Sequence, residues 1–153
     1  MHPSKLKPGE FVAIVGGVLL TVALFLDWYA SKGKGVILKG DEMITGAVTG
    51  WEVHTIIRFP ILIAALAPIV LTYIILRNHP LSWPRGELTA VLGIFAFGLI
   101  AYNGVADRPA TSNSLSSLEY GWYLAILGSM LVVGGSAIRA SSVERKRKPP
   151  GTL

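Results

Sequence analysis

The chain has 153 residues, of which 52% are hydrophobic and 15% charged, and its mean hydropathy is +0.55. Charged residues make up roughly a quarter of an average soluble domain, so this composition argues against a soluble protein. The absence of cysteine excludes disulfides, thiolate metal sites and cysteine nucleophiles, and the formal net charge of +5 reflects an uneven distribution between loops and not a nucleic-acid-binding surface.

Four apolar stretches follow one another along the chain, each close to the length that spans a bilayer. They predict helices over residues 11–29, 53–76, 88–106 and 120–138. Backbone N–H and C=O groups must be satisfied within their own segment in lipid, so stretches of about 17 to 25 apolar residues become membrane helices. We therefore predict an all-α membrane fold, in which residues 1–153 form a single four-transmembrane-helix bundle with a basic cytoplasmic tail at 139–153.

The first stretch has a second interpretation, as a cleaved signal peptide, because Lys5 and Lys7 precede it. We favour a retained helix, since the apolar run ends at Asp27 and shows no clear small-residue cleavage site. Small residues in the first and last helices predict close helix contacts. These residues are Ala13, Gly17, Thr21, Gly128 and Gly135.

The loop at residues 30–52 is the longest between predicted helices and carries its own strand signals. Apolar residues flank a turn-rich centre at residues 39–42, a pattern that favours a short β-hairpin. A loop that only joined two helices would not need these apolar residues. We keep two interpretations, a cap on the bundle or a partner-contact loop. The contact residues would be Val36, Ile37, Leu38, Met43, Ile44 and Trp51.

The second predicted helix begins with polar residues and contains two prolines. Arg58 lies one helical turn after His54, on the same predicted face. An ionisable residue inside a span is costly unless it is paired, so we predict an ion pair of Arg58 with Asp27 or Asp107. An outer binding pocket and an ion or proton path remain alternatives. The polar outer cluster comprises Asp27, His54, Arg58, Asn103 and Asp107, and the prolines that predict a kink are Pro60 and Pro68.

The distribution of basic residues predicts the orientation. With both termini in the cytoplasm, nine Lys and Arg residues fall on the inner side and five on the outer side, as the positive-inside rule favours. We therefore predict a multi-pass plasma-membrane protein with both termini cytoplasmic. Four consecutive cations follow the last helix and either fix this topology or bind anionic lipid headgroups. They are Arg145, Lys146, Arg147 and Lys148.

Enzyme signatures are absent from the sequence. It contains no His-Glu-x-x-His, Gly-x-Ser-x-Gly, Walker or dinucleotide-binding motif, and its three histidines stand at positions 2, 54 and 79. We therefore predict that the protein is not an enzyme and has no catalytic residues, metal site or cofactor.

Three short segments near the predicted outer helix ends carry a family resemblance: Phe25-Leu26-Asp27-Trp28-Tyr29, Thr49-Gly50-Trp51-Glu52 and Tyr120-Gly121-Trp122-Tyr123-Leu124. They resemble the small four-helix integral membrane proteins of actinobacteria, a largely uncharacterised group. In architecture alone, the long first loop is also similar to that of claudin-like tetraspan proteins. The cysteine pair and Gly-Leu-Trp motif of claudins are absent, so no functional residue is carried over.

Two functions follow as expectations. The first is a non-catalytic accessory, assembly or envelope-interaction component that binds a protein partner through the outer loop. The second is a small oligomeric transporter or channel subunit that uses the kinked second helix and Arg58. A lone four-helix bundle has little space for a pore, so transport predicts a homo-oligomer and the accessory role predicts an unlike partner.

Overall fold

The computed structural model describes residues 7–31, 37–39, 42–77, 86–109 and 116–144. Within these ranges the helices are α1 (Pro8–Leu24), α2 (Gly50–Val53), α3 (Arg58–Leu76), α4 (Glu87–Val105) and α5 (Tyr120–Glu144). The strands are β1 (Asp27–Ser31), β2 (Ile37–Lys39), β3 (Glu42–Ile44), β4 (Ala47–Thr49) and β5 (Ser116–Leu118). The chain is therefore mostly helical, with short strands in both segments predicted to be outer loops.

Three helical segments are long and apolar enough to cross a membrane: Arg58–Leu76, Glu87–Val105 and Tyr120–Ser141. Their length and composition are suited to membrane insertion. Helix α1 is apolar but shorter, with 17 residues. Large apolar side chains on its outward face are half exposed; these are Phe11, Val15, Val18 and Val22.

Helix α1 packs against α5 and α3, and α4 packs against the same two helices. Glycines make the α1–α5 contact close, as the small residues in both helices predict. A Cβ on Gly128 would lie 2.8 Å from the backbone nitrogen of Leu20, and a Cβ on Gly135 would lie 2.5 Å from the carbonyl oxygen of Gly9. The two backbones can approach this closely because neither glycine carries a side chain.

A three-stranded antiparallel sheet closes one end of the bundle, with β1 between β4 and β5. Tyr29 is paired with Val48 on one side and with Leu118 on the other. The sheet therefore joins the segment after α1 to the segment before α5. We call the sheet and the adjoining helix ends the sheet end. The opposite end lies at Pro8, Leu76 and Glu87.

Strands β2 and β3 pair with each other as a separate antiparallel ladder, in which Ile37 is opposite Ile44. This confirms the predicted β-hairpin in the first loop. The three-stranded sheet was not predicted, because residues 27–29 were assigned to the end of the first helix. In the structure that helix ends at Leu24 and strand β1 begins at Asp27.

Two other predicted boundaries are wrong. The second helix was predicted over residues 53–76, but α2 ends at Val53 and α3 begins at Arg58, so residues 54–57 interrupt it. This break precedes both prolines, and α3 is continuous through Pro68. The tail was predicted to begin at residue 139, whereas α5 continues to Glu144. Residues 145–153 lie outside the described part of the chain.

Candidate functional site at the sheet end

Trp28 fixes strand β1 onto the end of α1. Its side chain is fully buried, and its indole Nε1 donates to the carbonyl oxygen of Ala23 at 2.7 Å. The last carbonyls of a helix lack partners within the helix, so this bond satisfies one of them. The indole ring fills the space where Gly50, the first residue of α2, would carry a Cβ. A single aromatic side chain thus holds α1, β1 and α2 together.

Tyr29 of β1 makes two polar contacts, one with His54 in the break between α2 and α3 and one with Asn103 in α4. Its hydroxyl lies 3.3 Å from Nε2 of His54 and donates to the carbonyl oxygen of Asn103 at 3.1 Å. Because the hydroxyl proton goes to the carbonyl, we assign the hydrogen of the first contact to Nε2 of His54. The His54 ring also makes edge contacts with the rings of Trp28 and Tyr29, with centroids 5.5 and 5.8 Å away.

Burial keeps this polar pair neutral. His54 is 8% exposed, and burial lowers its pKa to about 4, an effect that the negative charge of Asp107 partly opposes. Burial likewise raises the pKa of Tyr29, while the positive charge of Arg108 lowers that pKa by a smaller amount. Desolvation disfavours the charged form of each group. Near pH 7 the contact is therefore a neutral hydrogen bond inside an aromatic cluster.

A second tryptophan, Trp122, joins α5 to α4 by a hydrogen bond to a helix carbonyl, as Trp28 joins β1 to α1. Trp122 donates from Nε1 to the carbonyl oxygen of Ile100 at 2.9 Å, and its ring lies against Gly104. Arg108 donates from Nε to the carbonyl oxygen of Gly104 and from Nη1 to that of Ser116 at 3.5 Å. These side chains tie the end of α4 to the start of β5 and α5.

The structure brings together only part of the predicted polar outer cluster. His54 and the backbone of Asn103 meet through Tyr29, and the side-chain amide of Asn103 donates to the carbonyl oxygen of Leu99 at 2.8 Å. Asp107 is exposed and acts on His54 through its charge. Asp27 is half-buried in β1, where it is paired with Thr49.

Arg58 lies apart from these residues, and its predicted ion pair with Asp27 or Asp107 is wrong. Among the described residues, no carboxylate lies within ion-pair distance of its guanidinium. The guanidinium stacks instead over the ring of Trp51, 4.7 Å from the centroid, and its Nη1 donates to the carbonyl oxygen of Trp51 at 3.2 Å. The predicted shared helical face with His54 is also wrong, because the break at residues 54–57 separates the two.

The predicted contact loop is described only in part. Val36 lies outside the described residues, and for the other apolar positions of the hairpin only the backbone pairing is described. Trp51 packs on the bundle, because its ring stacks on that of Phe25 at 5.3 Å. The predicted lipid-headgroup residues Arg145, Lys146, Arg147 and Lys148 lie outside the described residues.

A buried ion pair at the opposite end of the bundle was not predicted. Arg139 Nη1 lies 2.9 Å from Glu10 Oε1, and the two residues are 6% and 5% exposed. Glu10 also accepts from the backbone nitrogen of Lys7 at 2.8 Å and so caps the start of α1. A small cavity of about 10 Å³ adjoins the pair, partly lined by Thr89 and Ser136. Opposite charges at the ends of two apolar stretches were the available signal.

No protein-family model, curated protein or solved structure matches this chain. Among the described residues, no group of three or more His, Asp or Glu side chains could hold a metal ion. The sheet end is a set of strands and helix ends held by buried indole, phenol and imidazole groups that bond to backbone carbonyls and to one another.

Proposed function

We propose that this protein is a non-catalytic integral membrane protein that binds a partner through the β2–β3 hairpin, as an accessory, assembly or envelope-interaction component of the plasma membrane. The observation that carries the proposal is the hairpin ladder, which is separate from the three-stranded sheet. A two-stranded hairpin is marginal in water unless it packs against something, and unpaired strand edges accept a further strand. The sheet end, which is held together by buried side chains, would support such a contact surface rigidly.

Membrane placement is the second part of the proposal: all four long helices span, and both termini are cytoplasmic. The 17 residues of α1 give a length of about 26 Å at the helical rise, close to the roughly 30 Å hydrocarbon core. Exposed aromatic residues at the sheet end support an interfacial belt on that side. They are Tyr102, Tyr120 and Tyr123.

Single cysteines test this orientation cleanly, because the natural chain has none. Thr45 and Arg77 are both exposed and lie towards the two ends of the bundle. In intact cells an impermeant thiol reagent should label Thr45→Cys and spare Arg77→Cys until the membrane is opened. Labelling of Arg77→Cys alone would reverse the orientation, and labelling of both without opening the membrane would exclude the proposed topology.

Replacement of Ile37 and Ile44 by Ser tests the hairpin as the contact surface. These residues are opposite each other in the ladder, so one double variant changes one register pair. We expect the variant to insert and express normally but to lose the membrane or envelope protein that co-purifies with the wild type in mild detergent. The control replaces Lys39 and Glu42, another opposed pair, by Gln and should retain the partner.

Two results would contradict the binding function. If the Ile37 and Ile44 variant unfolds while the Lys39 and Glu42 control does not, the hairpin is a structural cap. If the purified wild type alone moves a solute across liposomes, the transporter alternative replaces the accessory role.

A further inference from the structure

Arg58 stands at the start of α3 in an aromatic setting, and no counterion for its charge lies among the residues that the structure describes. Its guanidinium carbon lies 4.7 Å from the ring centroid of Trp51 and 5.0 Å from that of Phe59. Stacking on rings fixes the plane of a guanidinium and is favourable for a cation. The planar group is thus held in one orientation and not left free to swing.

The hydrogen-bond donors of Arg58 are only partly used. Nη1 donates to the carbonyl oxygen of Trp51 at 3.2 Å, whereas Nε is buried and has no partner. Among the described residues, no carboxylate forms an ion pair with Arg58. A guanidinium carries five N–H donors in a fork that matches the geometry of a phosphate. The buried Nε cannot reach an anion from outside the chain, but the second N–H of Nη1 and the two of Nη2 make no bond to the described residues and remain for one.

The surroundings of Arg58 place that anion in a membrane interface. The neighbouring apolar side chains face outward: Ile56 is 78% exposed, Phe25 is 55% exposed and Phe59 is 50% exposed. Directly after Arg58 runs an apolar segment long enough to cross a membrane. An arginine at the boundary between such a segment and the interface meets lipid phosphates, the anions present at that depth.

We propose that Arg58, held by Trp51 and Phe59, binds the phosphodiester group of an anionic phospholipid in the leaflet at the sheet end. The lipid phosphate accepts from the free guanidinium donors, and the acyl chains lie along Ile56 and Phe59. This site does not involve the basic run at residues 145–148, which follows α5 in the sequence. It rests on the proposed membrane placement, but not on the hairpin as the partner-contact surface.

Native mass spectrometry of the detergent-solubilised protein, titrated with phosphatidylglycerol, tests this site. We expect Arg58→Gln to weaken phosphatidylglycerol binding at least about tenfold, the effect of a lost hydrogen bond to a charged group, against about fivefold for a cation that only lies near the membrane surface. Arg58→Lys keeps the charge but loses the planar fork of donors. Its affinity for phosphatidylglycerol should therefore lie between those of the wild type and Arg58→Gln. Arg77→Gln is the matched control for a cation that only lies near the membrane surface, because Arg77 directly follows the same helix, stacks on the single ring of Tyr73 and lies at the other end of the bundle.

The following results distinguish a bound phospholipid from a free anion and from the absence of a site. Phosphatidylcholine should bind the wild type more weakly than phosphatidylglycerol, and excess inorganic phosphate should not displace the lipid. Displacement by inorganic phosphate would overturn the lipid in favour of a free anion. Equal binding by wild type and Arg58→Gln, or an equal loss in Arg77→Gln, would overturn the site. If Arg58→Gln fails to fold, Arg58→Lys is compared with the wild type instead, and equal phosphatidylglycerol affinity of these two proteins would overturn the site.

A separate measurement isolates membrane placement. Extraction of native membranes at alkaline pH should leave the wild type and each Arg58 variant in the membrane pellet. Release of the wild type would overturn the membrane placement, and with it the lipid site. Retention of every variant together with unchanged lipid affinity would overturn the Arg58 site alone.

Discussion

The two ends of the bundle hold their helices together by different means. At the sheet end, two tryptophans and a tyrosine donate hydrogen bonds to backbone carbonyls, and the one buried histidine in the cluster is neutral near pH 7. At the opposite end, α1 and α5 are joined by the buried ion pair of Glu10 and Arg139. Neutral bonds are spread over many partners, whereas the ion pair depends on two side chains.

This difference predicts how much stability each end loses when one interaction is removed. Loss of one neutral bond leaves the rest of the aromatic cluster in place, so the cost is modest. Loss of one member of a buried ion pair removes the opposite charge that offsets the desolvation of the other, which costs more than the loss of a neutral bond. The sheet end is therefore expected to tolerate substitution of single donors, and the opposite end is not.

The largest effect is expected from breaking the ion pair. Glu10→Leu or Arg139→Leu alone should destabilise the protein by about 3 to 5 kcal/mol, because each removes one member of an ion pair whose two residues are both buried. The double variant should be milder than the sum of the two. Thermal unfolding of the four proteins in detergent gives the coupling. Additive losses would show that the two charges do not stabilise each other.

A second effect should appear at the sheet end on acidification. His54 has a pKa of about 4 in the fold and about 6.5 when unfolded, so the unfolded chain binds the extra proton first as pH falls. Stability is complete above about pH 6.5 and declines towards pH 4, by about 2 kcal/mol at pH 5. In detergent, the melting temperature should drop over this range in the wild type and less in His54→Gln. An unchanged slope in that variant would contradict the assignment.

The smallest effect is expected for Tyr29→Phe, which removes one hydroxyl and keeps the buried ring. The substitution leaves the carbonyl of Asn103 and Nε2 of His54 without this partner. We expect a loss of about 1 to 2 kcal/mol, measured as the shift in thermal unfolding. Ser141→Ala is the control, because its hydroxyl donates locally at an exposed position and should change stability little. A loss in Tyr29→Phe as large as that of Glu10→Leu would contradict the difference between the ends.

The long apolar runs were predictable from sequence, because a membrane-length stretch leaves few alternatives to a helix. The predicted ranges 88–106 and 53–76 contain nearly all of α4 and α3. Strand β1 was missed because aromatic residues after an apolar run suggest a membrane interface equally well. In the structure Trp28 and Tyr29 turn inward and are fully buried, which only the packing of β4, β5 and α2 around them makes favourable.

The polar residues were harder to place than the helices. The sequence predicted Arg58 near Asp27 and Asp107 from its position along one continuous helix. In the structure the helix is broken before α3, and the Arg58 guanidinium stacks on the ring of Trp51. The Glu10–Arg139 pair joins residues from the two ends of the chain. Sequence order alone cannot show that α1 and α5 are neighbours, so this pair follows only from their close packing.

The central claim is that the hairpin mounted at the sheet end is the surface through which this protein acts. A photo-crosslinking amino acid at position 38 or 43, which are opposed in the β2–β3 ladder, tests it in native membranes. Position 95, exposed on the apolar segment α4, is the control. We expect one reproducible protein adduct from positions 38 and 43, identified by mass spectrometry, and none from position 95. A protein adduct from position 95 with none from the hairpin would contradict it.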